Sequence, residues 1–416
     1  MNIDDISAVL ANTLYIVKNR RISVRRAFAS TCKLMPCSSR EVHREKLYEL
    51  TRLFISSFYR IKYIAEKSGR RNMSNRYLAR LFLYLYFMEH DLAFPNKLKK
   101  VVRRDFPDLE KNIAEIEAWA KLSYPKWFYE KLASLLSVNE AEQLLYSMNK
   151  RVQWIRINTL KIDLDKALKL LENEVEFSVD REIPFLLKVV KSRRPLRSLK
   201  LFKEGLIIPQ DKASVLVVKA LTPEPDMTIY DFAAAPGIKT SLIMQLTDNK
   251  ARIVAVDSSP RRLESMKKLL RKYGVEVSRV KLILADSREI SLMKGADAAL
   301  VDAPCSSSGA ISKDPAIKIF LENDLIIHLM KRTQVDILYN ALQHTDIAVY
   351  ATCSLMPEEG EEVVIEVMNR GIEHKLIEPS INTSKGYSKY VVWNKVRRTF
   401  PHKDESEGFF IARFEK

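Results

Sequence analysis

The chain has 416 residues, with 69 Lys+Arg against 52 Asp+Glu and a formal charge of +17, a bias that points to a polyanionic partner. At 47% hydrophobic and 29% charged its composition is that of a folded globular protein, which excludes a disordered, collagen-like or disulfide-stapled chain. Its length asks for two or three domains.

Four unevenly placed cysteines, Cys32, Cys37, Cys305 and Cys353, do not make a secreted disulfide framework, so a reducing cytoplasm is the expected location. Asp4 and Asp5 stand where a signal peptide would be basic. The densest apolar stretch, Leu81 to Met88, is far short of the ~20 residues that span a bilayer. No membrane association is expected.

Gly69 is the sole glycine before Gly205, so the first part lacks the turn punctuation of strand-rich folds and reads as helical. Ile6, Val9, Leu10, Thr13, Leu14 and Val17 share one helical face, as do Leu47, Leu50, Phe54, Phe58 and Ile61, then Leu78, Leu81, Phe82 and Leu85, the pattern of a bundle. Residues 1–120 hold 23 Lys+Arg and 13 Asp+Glu, a net +10. Arg20, Arg21, Arg25, Arg26, Arg70, Arg71, Arg76 and Arg80 could contact phosphates or form a solvated helix face. Cys32, Cys37 and the nearby His43 are zinc-ligand types, but a fourth ligand at suitable spacing is absent and no metal is expected.

From Val152 the texture changes. Val152 to Ile157 alternates as a strand, Ile162 to Leu171 is an amphipathic helix, and Val175 to Val179 alternates again, which predicts a small α+β module. Lys188 to Lys203 is either a second basic surface or an exposed linker. Beyond Gly205, short apolar runs at 228–230, 253–256, 281–284, 298–301, 348–350 and 409–414 alternate with helical patterns, the rhythm of a doubly wound, mainly parallel sheet.

The first of these strands leads into Asp231-Phe232-Ala233-Ala234-Ala235-Pro236-Gly237-Ile238-Lys239-Thr240, small residues that let a ligand approach the backbone at a helix start. It has neither the dinucleotide nor the P-loop glycine spacing, and alone it could be an ordinary strand-to-helix turn. The next two strands end in Asp257 and Asp286. One such aspartate is more often a helix cap, but two behind a small-residue loop favour a nucleoside-containing cofactor. The fourth strand ends in Asp302-Ala303-Pro304-Cys305 and the fifth in Thr352-Cys353-Ser354. A lone cysteine is usually a small buried hydrophobe, whereas two at the ligand-binding edge are expected to take part in chemistry.

With these motifs, and with Gln210-Asp211-Lys212-Ala213-Ser214, Arg398-Thr399-Phe400-Pro401-His402 and Gly408-Phe409-Phe410-Ile411-Ala412, the chain resembles the Sun-type (RsmB/NOP) S-adenosylmethionine-dependent RNA cytosine-5 methyltransferases. The likeness covers roughly residues 120–416, since Tyr124-Pro125-Lys126-Trp127 and Arg156 to Lys161 look like the family's accessory domain. The basic helical residues ahead of it look like the NusB-like RNA-binding domain of RsmB-like members.

The resemblance implies an α/β protein: a helical NusB-like domain at 1–135, a small α+β RNA-binding module at 136–204, and a Rossmann-like methyltransferase domain at 205–416. It implies Cys353 as the nucleophile adding to cytosine C6, Cys305 as the residue that helps release product, and Asp302 facing the N3 edge, with Lys239 orienting Asp302 or the substrate. S-adenosylmethionine would be held by Ala233, Ala234, Ala235, Pro236, Gly237, Ile238 and Lys239, with Asp257 at the ribose, Arg262 beside it, Asp286 near the adenine and Asp302 at the shared face. Ribosomal RNA is the expected partner ahead of transfer RNA, and the protein is expected to be a monomer. DNA cytosine methylation and a non-catalytic RNA-binding assembly factor are the competing readings. The chain departs from the family pattern at Ala233 and Ile238 (usually cysteine and glycine), Ser307-Ser308 (usually Gly-Thr), Gln343 to Asp346, and Glu358-Glu359-Gly360-Glu361.

Overall fold

The computed structural model describes residues 2–35, 37, 41–68, 73–93, 95–106 and 108–416. Two compact units emerge: Met1–Lys150 with Ala310–Asp324, and Arg151–Gly309 with Leu325–Lys416.

The first unit is helical, with α1 (Ile3–Arg20), α2 (Val24–Leu34), α3 (Glu41–Ser56), α4 (Phe58–Lys67), α5 (Asn75–Glu89), α6 (Asn96–Asp105), α7 (Leu109–Ala114), α8 (Ala118–Lys121), α9 (Lys126–Leu135) and α10 (Val138–Met148). Helix α1 starts in a capping box: the Asp5 N–H donates to Asn2 Oδ1 at 2.8 Å and the Asn2 N–H reaches back to Asp5, satisfying donors that the first helical turn leaves open. Its buried Val9, Leu10, Leu14 and Val17 join Phe54, Ile61, Leu81 and Phe82 in one core. The face from Leu47 to Ile61 belongs to two helices rather than one, since α3 ends at Ser56 and α4 begins at Phe58.

Cys32 and Cys37 are joined by a disulfide with Cα atoms 5.3 Å apart, a spacing that permits the bond. The sequence reading did not anticipate this bond. Of the arginines singled out for phosphate contact, Arg70 and Arg71 lie outside the described residues. Arg21 donates to the Phe320 carbonyl, Arg25 pairs with Glu45, and Arg76 and Arg80 bond to Asp4, while Arg20 and Arg26 are exposed.

The second unit opens with β1 (Gln153–Ile157), α11 (Leu164–Glu172), β2 (Val175–Val179), β3 (Leu186–Ser192), α12 (Lys200–Lys203) and β4 (Ile207–Pro209). The four strands form an antiparallel sheet in the order β2-β3-β1-β4. Lys188 therefore lies in a strand and pairs with Glu405, and Arg194 pairs with Glu174, so this basic stretch is no linker. The expected boundary at 204/205 falls inside this sheet, because β4 pairs with β1. The boundary at 135/136 falls inside the helical unit, where the Tyr124 hydroxyl bonds the Leu145 carbonyl at 3.0 Å.

There follow α13 (Lys212–Leu221), β5 (Thr228–Phe232), α14 (Ile238–Leu246), β6 (Arg252–Asp257), α15 (Pro260–Lys272), β7 (Val280–Leu284) and β8 (Ala296–Asp302). The chain next contributes α16 (Ala316–Phe320) to the first unit. There Ala316 and Ile319 join the helical core, and buried Lys318 donates to the Ser56 carbonyl at 2.8 Å and to Asn149 Oδ1 at 2.6 Å. The second unit is completed by α17 (Leu325–Leu342), β9 (Thr345–Thr352), α18 (Glu361–Asn369), β10 (Lys375–Ile377), β11 (Ser384–Lys385), β12 (Arg397–Thr399), α19 (Pro401–Asp404) and β13 (Phe409–Glu415).

Its large sheet runs β11-β12-β13-β9-β8-β5-β6-β7, with β10 on β13. Strands β5 to β9 pair in parallel and β13 joins β9 antiparallel. Side chains alternate between faces, as the period of two in a strand requires: Ile229, Leu300, Val349 and Ile411 pack toward α13 to α15, while Tyr230, Val301, Tyr350 and Phe410 pack toward α17 and α18. Strand order reverses between β5 and β8, so the carboxyl ends of these strands border the crevice where open α/β sheets bind ligands.

Candidate active site

Strand β5 ends at that crevice. Buried Asp231 accepts a hydrogen bond from the Thr240 hydroxyl at 2.6 Å, and burial pushes its carboxyl up to about 7, with Thr240 pulling the other way. The chain then turns through Ala233 at φ 67° and Gly237 at φ 95°. At Gly237 a Cβ would meet Met266 Cγ at 2.8 Å, so glycine is required both for the left-handed backbone and for the approach of α15.

Asp257, at the end of β6 and 1% exposed, organises this loop. It accepts the Ala235 N–H at 3.2 Å and the Ser259 N–H at 3.0 Å, and pairs with Arg262 at 3.2 Å. Arg262 also donates to the Ala235 carbonyl, so the two residues clasp the small-residue loop from below. Asp286, after β7, is half exposed and gripped by Arg288 at 2.6 Å, whose hydrogen bonds hold its carboxyl below the usual range. Arg288 was not anticipated from sequence.

At the end of β8, Asp302 accepts a 2.6 Å hydrogen bond from Lys239 Nζ, the first turn of α14 reaching across the switch point. Three residues on, Cys305 Sγ lies 3.2 Å from Cys353 Sγ, at the end of β9. The two sulfurs differ. The hydrogen bond between them, with that of Ser307, lowers the Cys353 thiol below its ordinary value. The same hydrogen bond, followed by burial, pushes Cys305 well above it. The contact between the sulfurs thus favours ionisation of Cys353 over Cys305, and the thiolate is the nucleophilic form of a cysteine.

What holds the two cysteine loops is a buried carboxylate that the sequence did not reveal. Glu359, 0% exposed, accepts the Ser306 N–H at 2.7 Å, the hydroxyls of Ser306 and Ser354, and the Gln334 amide at 3.1 Å. It thereby ties the residue after each cysteine to one anchor. Ser308 adds a 2.9 Å hydroxyl contact to Ser354 and accepts the Leu355 N–H. Arg398, equally buried, pairs with Glu361 and donates to the Ser354 carbonyl at 3.1 Å, which accounts for the arginine in the Arg398 to His402 segment. The Gly309 N–H bonds the Cys353 carbonyl and the Gly408 N–H bonds the Gly309 carbonyl.

Sequence reading thus placed Ala233 to Lys239, Asp257, Arg262, Asp302, Cys305 and Cys353 at adjoining strand ends of one sheet. Asp286 lies at the same edge with its carboxylate already engaged. Among the described residues no group of three or more His, Cys, Asp or Glu could hold a metal ion, and no helix is long and apolar enough to cross a membrane.

The sheet order and the loops at its carboxyl edge define a Rossmann-like methyltransferase domain. Residues 218–415, a little under half of the chain, are similar to the family described as 16S rRNA methyltransferase RsmB/F. The tRNA (cytosine(72)-C(5))-methyltransferase of Pyrococcus horikoshii is 36% identical over 227 residues, which are 53% of this chain and 55% of that protein. Ribosomal RNA small subunit methyltransferase B of Yersinia pseudotuberculosis is 29% identical over 303 residues, 70% of this chain and 66% of that one. The chain thus spans between half and two thirds of these relatives' lengths. The crystal structure of the protein PH0851 superposes with a TM-score of 0.80 at 25% identity, covering 100% of this chain and 99% of its own.

Proposed function

We propose that the protein transfers a methyl group from S-adenosylmethionine to C5 of a cytosine in RNA, through a covalent adduct of Cys353 at C6. The observation that carries this reading is the pair of thiols 3.2 Å apart, asymmetric in proton affinity, beside the Lys239–Asp302 ion pair. The acidic set at the strand ends fits the cofactor: a carboxylate offers about four lone-pair sites, and Asp257 uses three on Ala235, Ser259 and Arg262, leaving one for a ribose hydroxyl. The loop Ala233 to Lys239 would hold the methionine part, Arg262 would support Asp257, and Asp286 would lie near the adenine. Bound there, S-adenosylmethionine supplies the electrophilic methyl group.

Cytosine C5 is a poor nucleophile until a thiolate adds at C6. Cys353 provides that thiolate, and Asp302, held by Lys239 in the free protein, faces N3 and must take up a proton and donate it to N3 as negative charge develops there. After C5 is methylated, its proton leaves to a base and the Cys353–C6 bond breaks, with Cys305 beside the sulfur assisting release. The base must be unpaired or flipped to reach Cys353.

Ribosomal RNA is our first substrate, since the Yersinia rRNA enzyme's likeness extends over 70% of this chain. Transfer RNA is the second reading, favoured by the 36% identity to a tRNA methyltransferase. We assign the helical unit as a NusB-like RNA grip, the small antiparallel sheet β1 to β4 with its helices as a second RNA contact, and the cytoplasm as the place of action of a monomer. The test is incubation with S-adenosylmethionine and RNA or DNA, followed by denaturing electrophoresis. Cys305→Ala should trap a protein–RNA adduct that disappears when Cys353 is also replaced. Adducts with DNA alone, or through Cys305, would overturn the assignment, and no adduct or methylation on any substrate would favour an assembly factor.

A further inference from the structure

When one of two sulfurs 3.2 Å apart ionises, the neighbouring donors bear on which of them keeps its proton. Three consecutive serines follow Cys305, and two are committed elsewhere: Ser306 to Glu359, and Ser308 to Ser354 and Leu355. Ser307 differs. It is half-buried and its backbone is left-handed, at φ 59°, a conformation that costs a non-glycine residue energy and persists only when its surroundings impose it. That turn places its hydroxyl oxygen 3.4 Å from Cys353 Sγ, where it accepts from the thiol and can donate once the thiol is ionised, while its backbone N–H faces the Cys305 sulfur. A serine hydroxyl can donate to a thiolate, and a glycine, which suits this backbone better, cannot.

We propose that Ser307 is a positioning residue that, in this chain, strengthens the preference for Cys353 over Cys305 as the nucleophile: its hydroxyl donates to the Cys353 sulfur when that sulfur is ionised. This rests on the reading of Cys353 as nucleophile. The charged and titratable groups facing that sulfur are Cys305, Asp302 and Glu407, and both carboxylates oppose a thiolate. Glu359 bears on Cys305 and keeps its proton in place. Ser307 is thus the neutral donor that offsets two nearby negative charges on the Cys353 side.

The test is pH-dependent alkylation of the free protein by iodoacetamide, with each cysteine resolved by peptide mass spectrometry, in wild type, Ser307→Gly and Ser307→Ala. Glycine removes the hydroxyl and relieves the backbone, so that variant should melt no lower than wild type; alanine removes the hydroxyl and keeps the strain. In both, the Cys353 profile should move to higher pH by about half a unit to one unit, and the preference for Cys353 over Cys305 near neutrality should fall about threefold to tenfold. Profiles unchanged in both variants would overturn the role of Ser307. A shift in the alanine variant alone would assign the effect to the backbone and overturn it equally. A wild type in which Cys305 alkylates first would instead sink the nucleophile assignment, before any variant is compared.

Discussion

Replacing Gly309 by alanine would force apart the loops that carry the two thiols. A Cβ at Gly309 would sit 1.8 Å from the Gly408 carbonyl oxygen and 2.6 Å from its carbon, whereas non-bonded heavy atoms settle near about 3.5 Å. The two backbones must separate by roughly 1.5 Å. The Gly408 N–H bond to the Gly309 carbonyl, at 2.9 Å, and the Gly309 N–H bond to the Cys353 carbonyl, at 3.0 Å, cannot both survive that movement. Buried groups left unpaired cost about 1–3 kcal/mol each, so the variant should lose roughly 3–5 kcal/mol. At about 2–4 °C per kcal/mol for a unit of this size, Tm should fall by roughly 10 °C in differential scanning calorimetry. Because Cys353 supplies one of the accepting carbonyls, diamide oxidation of the Cys305–Cys353 pair should also slow at a temperature where the variant is still folded. A variant that melts within about 2 °C of wild type and oxidises as fast would refute the clasp.

Asp231 titrates near 7 when folded against about 3.9 when unfolded. The native state therefore holds its proton more tightly, and the stability it contributes is full below about pH 4 and lost as pH rises through about 7, at about 1.4 kcal/mol per pH unit. Asp231→Asn should flatten this part of the urea-stability profile between pH 5 and 8, and identical slopes would count against it. Glu361→Gln leaves the Arg398 guanidinium buried without its counter-charge and should cost about 3–5 kcal/mol, while replacing both residues by methionine should recover most of that; a single variant as stable as wild type in urea would dismiss the pair's importance. Asp257→Ala should weaken S-adenosylmethionine binding by calorimetry at least tenfold, the loss of a hydrogen bond to a charged group being worth about 1.5–3 kcal/mol. Unchanged affinity would remove Asp257 from the cofactor site.

The sheet and the chemical residues were legible because both follow local rules. Runs such as Ile253 to Val256 and Ala298 to Val301 are apolar on both faces, as central parallel strands are, and the proposed site residues stand directly after them. Strand β3 was missed because it is buried at Leu186 and Leu187 but exposes Lys191, so its charges imitate a loop. The break at Ser57 was invisible because Phe54 and Phe58 keep helical spacing across it. Glu359 carried no local signal at all, since its meaning lies in Ser306, 53 residues away. The same holds for α16, which follows the Cys305 loop in sequence while its packing partners are the N-terminal helices.

That last segment has a practical meaning. The chain leaves the methyltransferase unit after Gly309 and rejoins it at Leu325, so the helical unit is built from two separate stretches of sequence. A polypeptide beginning at Arg151 would keep Ala316 and Ile319 without the core that buries them, and Lys318 without Ser56 or Asn149 to bond. Such a fragment should be prone to aggregation for reasons unrelated to its active site. Any exchange of the helical unit, in the laboratory or over evolution, requires matched edits at three places in the gene.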